Sequence, residues 1–80
     1  MANYDVSNEK LLEDIRITEK ELSAYIEIYH GFKILSEIPE NINVLSGSMY
    51  KLEYERYLKL AYDCGEFLHK LQNMQSDRRI

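Results

Sequence analysis

Residues 50–75 read YKLEYERYLKLAYDCGEFLHKLQNMQ. Steps of four and three through this stretch select Tyr50, Tyr54, Tyr57, Ala61, Cys64, Leu68, Leu71 and Gln75. Such positions fall on one side of a helix with a seven-residue repeat, and here all but the last can be buried. An upstream stretch answers it with Leu11, Ile15, Thr18, Leu22, Tyr25, Tyr29, Phe32 and Ser36. Two seams of this kind predict an all-α fold, an antiparallel two-helix hairpin.

Working outward, Ser7 is the natural N-cap of the first helix, because its hydroxyl can accept from an unpaired amide of the first turn. Glu9 suits the positive end of that helix. The helix is predicted over residues 8–38 and stops before Pro39, which disfavours helical geometry in the residue preceding it. Gly31 is a weak point, but Phe32 stays on the seam, so the helix is read as continuing. The connection, residues 39–48, carries turn residues at both ends and the apolar Ile42, Val44 and Leu45. Ser48, with Ser46 as the alternative, is the expected cap of a second helix over 49–75. Residues 76–80 read as a mobile tail. The whole chain forms a single domain.

The expected hairpin register opposes Phe32 to Tyr54, Tyr29 to Tyr57, Tyr25 to Ala61, Leu22 to Cys64, Thr18 to Leu68 and Ile15 to Leu71. The seams leave apolar surface over. At about 100° per residue, Leu60, Phe67 and Met74 form a second stripe beside the seam of the second helix. Ile17, Ala24, Ile28 and Leu35 widen that of the first. Surface of this kind marks an interface. The simplest completion is a homodimer whose hairpins form a four-helix bundle; the other is insertion into a larger partner.

Composition narrows the function classes. A net charge of −4 gives no general attraction to nucleic acid or to an anionic membrane. No apolar run is long enough to cross a bilayer. The start of the chain, Met1 to Val6, lacks the basic and apolar regions of a secretory signal. One cysteine cannot form an internal disulfide, so the expected compartment is the reducing cytoplasm.

Three features invite a chemical reading. Glu-x-x-His occurs twice, as Glu27 with His30 and Glu66 with His69. Paired copies of this motif on facing helices ligate di-iron centres, but Glu27 sits roughly 170° from its seam. Glu66 also points away and both histidines flank, so no metal and no other cofactor is expected. Tyr25, Tyr29, Tyr50, Tyr54 and Tyr57 gather with Phe32 at the loop end. They could stack a planar, nucleotide-like ligand, although no phosphate-binding loop or basic cluster accompanies them. Cys64 lies on the seam and reads as a small hydrophobe rather than a nucleophile.

No catalytic constellation emerges. The sequence therefore predicts a small non-enzymatic interaction module of the adaptor, chaperone or inhibitor type. It is expected to self-associate and to bind another protein through Leu60, Phe67 and Met74, joined by Ile42, Val44 and Leu45 from the connection. The alternative is a protein that binds or sequesters a nucleotide-like ligand at the tyrosine cluster.

Overall fold

A computed structural model describes the backbone of residues 6–40 and 45–80, and their side chains except at positions 45 and 46. Two helices, α1 (Asn8–Glu37) and α2 (Leu45–Arg78), pack against each other as a hairpin. No strand occurs among the described residues. The hairpin measures 52 × 23 × 15 Å, so it is one layer of helices thick.

α1 starts and stops where elementary sterics dictate. The Ser7 hydroxyl accepts from the Lys10 N–H at 3.1 Å, and the Leu11 N–H donates to the Ser7 carbonyl at 2.9 Å. Ile38 is extended at φ −64°, ψ 129°, as a residue before proline prefers. The helix runs unbroken through Gly31, and α2 runs unbroken through Gly65.

α2 departs from expectation at both ends. It begins at Leu45, so Ser46 and Ser48 lie inside the helix instead of capping it. Gly47 is buried, and it sits three residues before Tyr50, one further step along the seam. Glycine weakens a helix interior but does not forbid it, so the Ser-Gly-Ser run is no barrier. At the other end, residues 76–78 form the last helical turn, where a mobile tail was expected. The Ile80 N–H donates to the Gln75 carbonyl at 3.2 Å and the Arg79 N–H to the Ser76 carbonyl at 3.1 Å. With Arg79 left-handed at φ 60°, this is a Schellman closure. The Arg78 guanidinium donates to the Val6 carbonyl at 2.6 Å and to Asn8 Oδ1 at 3.2 Å, tying the end of α2 to the start of α1.

The two seams meet as predicted: every one of their residues is buried or half-buried. Leu11, Ile15, Leu68 and Leu71 form the core at the open end, with Val6, Leu22 and Met74 packed around them. Thr18, a polar residue in the seam, is buried at no loss, because its hydroxyl donates to the Asp14 carbonyl at 2.6 Å. The register is corrected by one turn. Tyr25 meets Tyr57, Tyr29 meets Tyr54, and Phe32 stacks on Tyr50 and Tyr57. The Cys64 thiol donates to the Thr18 carbonyl at 3.6 Å. The midpoint of the connection fixes which residues of a hairpin are level. Because α2 begins four residues early, that midpoint moves back, and each α1 residue meets a partner about one turn earlier in α2.

Core truncation tests this packing. Leu71→Ala, at a side chain that is 1% exposed, is expected to destabilise the hairpin by about 2–5 kcal/mol. Leu52→Ala, on the outer surface, should change stability by less than about 0.5 kcal/mol. Urea unfolding followed by circular dichroism measures both.

Candidate interaction face

A pseudo-two-fold axis perpendicular to the hairpin relates its antiparallel helices. Equivalent flanks of the two seams therefore share a face. On one face α1 contributes Ile17, Ala24, Ile28 and Leu35, and α2 contributes Met49, Leu60, Phe67 and Met74. Leu60 and Met74 are half-buried, while Phe67 remains 44% exposed. Ile17, Ile28 and Leu35 are similarly exposed.

Of the residues expected to bind a partner, Leu60, Phe67 and Met74 thus share one face with the α1 stripe. Ile42 and Val44 lie outside the described residues. Leu45 opens α2, and its side chain also lies outside the description. The same face also carries charge, since Glu21 falls seven residues after Asp14, and Asp63 and Lys70 seven and fourteen after Arg56. Lys10 and Asp14 pair at 2.7 Å, and Glu53 lies 3.6 Å from Arg56. These charges keep the face mixed rather than oily.

The opposite face is also mixed, with Leu12 and Ile26 of α1 exposed on it. It carries Lys51, Glu55, Leu58, Tyr62 and His69 around Gly65, where the missing side chain leaves an open concavity of about 440 Å³. A Cβ built on Gly65 would meet nothing within 4 Å. The concavity is lined by Ala61, Tyr62, Glu66, His69 and Lys70.

The tyrosine cluster assembles at the loop end as the spacing implied, but its rings are spent on one another. Tyr29 and Tyr54 meet edge to face, with centroids 5.7 Å apart and planes at 80°. Tyr25 and Tyr57 lie 6.2 Å apart, and Phe32 stacks against Tyr50 at 6.1 Å. Lys33 Nζ adds a cation 5.9 Å from the centre of the Tyr29 ring. Each of these rings is half-buried, and this is ordinary aromatic packing. Glu27, His30, Glu66 and His69 are all exposed. Among the described residues no three His, Cys, Asp or Glu side chains are grouped to hold a metal ion. No helix among them is long and apolar enough to cross a membrane.

Cys64 is half-buried on the seam. Burial raises its thiol pKa, and the nearby Glu21 carboxylate raises it further. Both effects disfavour the thiolate, which is the reactive form. Sequence reasoning anticipated an inert thiol here; what it missed were Gly47 on the seam and the docking of Arg78. Gly47 carried a signal in its spacing, whereas Arg78 carried none.

No protein-family model, curated protein or solved structure matches this chain.

Alkylation by iodoacetamide checks the thiol. The pH midpoint of the rate should lie above that of an unfolded cysteine and fall back to it in denaturant. The folded state holds the neutral thiol preferentially, so its contribution to stability is complete below the unfolded pKa and lost as pH rises through the folded one.

Proposed function

We propose that this protein is a non-enzymatic interaction module that acts through its apolar face, self-associating and binding a partner protein in the manner of an adaptor, chaperone or inhibitor. The observation that carries this reading is the combination of a single-layer hairpin with an apolar stripe on both helices of one face. A domain ordinarily closes its core between two layers, and a contiguous exposed apolar patch marks an interaction site. Helix-in-groove docking suits such a surface: side chains of an incoming helix enter the shallow valley between α1 and α2. The lone thiol, without a disulfide partner in the chain, fits work in the reducing cytoplasm. A second reading, ligand binding at the tyrosine cluster, gains no support from the rings, whose faces and edges already pack on each other.

Site-specific photo-crosslinking tests the assignment. Benzoylphenylalanine is placed at Ile17 or Met49 on the apolar face and, as a control, at Glu55 on the other side. Irradiation in the native host should give discrete adducts from positions 17 and 49 and none from position 55. Equal labelling at all three positions, or none on the apolar face, would falsify the reading.

A further inference from the structure

We infer that the open end of the hairpin is closed by a latch. Val6 is a strap over the last core layer, Leu11 with Leu71, and Arg78 locks the strap in place, so that the start of α1 and the end of α2 open and close as one unit.

Burial along the seam runs against what a free end would show. Helix ends ordinarily fray, and terminal residues stay loose unless something ties them down. Here the last apolar layer of the seam is its driest. Leu11 and Leu71 are 0% and 1% exposed, whereas Ile15 and Leu68, one layer further in, are 7% and 8% exposed. The tyrosines beyond them are half-buried. A facing helix covers every layer alike, so it does not produce this gradient. The end has a cover of its own.

Two helix-end motifs supply that cover. Ser7 is extended at φ −62°, ψ 160°, so the chain leaves the helical path there, and Val6 packs on the core cluster that contains Leu11. Val6 stands just before the cap and Leu11 four residues after it, the spacing of a hydrophobic staple. At the other terminus the Schellman closure turns at Arg79 and leaves Arg78 as the last helical residue. Arg78 Nη1 donates to the Val6 carbonyl at 2.6 Å and to Asn8 Oδ1 at 3.2 Å. One nitrogen thus holds the residue before the cap and the residue after it. The accepting carbonyl belongs to the same residue whose side chain lies on the core. Val6 therefore cannot lift without breaking a charge-assisted hydrogen bond, which is stronger than a neutral one. Arg78 cannot leave without freeing Val6.

The latch bears on the apolar face through Met74, which belongs to that face and packs on the same core cluster. An open latch bares Leu11 and Leu71 beside Met74 and lengthens the face toward the end of the hairpin; a closed latch keeps it short. This consequence rests on the reading of the face as an interface, whereas the latch itself does not.

Reciprocal amide exchange, followed by NMR on the full chain, tests the latch. Arg78→Met keeps an unbranched stem and removes the donors. Val6→Ala trims the strap and keeps its carbonyl, and it is mild enough to leave the hairpin folded. The reporters are the amides of Lys10 and Leu11, which donate to Ser7, and those of Arg79 and Ile80, which donate to Ser76 and Gln75. Arg78→Met is expected to speed exchange at both pairs by about tenfold, as the loss of one charged hydrogen bond implies. Val6→Ala should speed both pairs by a smaller factor. Amides of residues 22–29 should keep their natural rates. Unchanged exchange at the remote pair, Lys10 and Leu11 in Arg78→Met or Arg79 and Ile80 in Val6→Ala, means that the two ends fray independently and overturns the latch. Equal acceleration at residues 22–29 means a general loss of stability and overturns it as well. No partner enters this measurement, so a failed latch leaves the apolar face to the crosslinking experiment, and a failed face leaves the latch standing.

Discussion

Two helices laid side by side can bury one seam, and the rest of this structure follows from how that single seam is filled. At the open end Leu11, Ile15, Leu68 and Leu71 close on each other and lose nearly all contact with water. At the loop end the seam passes to Tyr25, Tyr29, Phe32, Tyr50, Tyr54 and Tyr57, which stay half-exposed. Rings of that size cannot be covered by one facing helix, but their hydroxyls can remain wet while their faces pack. Aromatic residues therefore suit the half of a single-layer hairpin that has the least cover. Thr18 and Cys64 mark the join: the Thr18 hydroxyl donates to the Asp14 carbonyl of its own helix, and the Cys64 thiol donates across the seam to the Thr18 carbonyl.

The chain was legible where its signal was periodic or steric. A seven-residue repeat determines which residues face inward whatever the exact pairing, so the seam could be listed from the sequence alone. Pro39 acts through the geometry of the residue before it, so the end of α1 was legible to within one residue. The start of α2 was not, because Ser-Gly-Ser describes a turn and the first turn of a helix equally well. The error propagated. Register in a hairpin is a global quantity set by the midpoint of its connection, and four misplaced residues there shift every pairing by one turn. The contact of Arg78 with Val6 was illegible for a different reason. It joins an arginine to a backbone carbonyl, and backbone carbonyls have no sequence signature.

The candidate face was legible as a stripe on each helix, but whether the two stripes share a side depends on the fold. Antiparallel packing puts them together; parallel packing of the same two helices would not.

If one face serves both self-association and a partner protein, the two are linked by mass action. Every second copy seated on the face must leave before a partner can use it, so partner affinity falls as the chain concentration rises above the dimer dissociation constant.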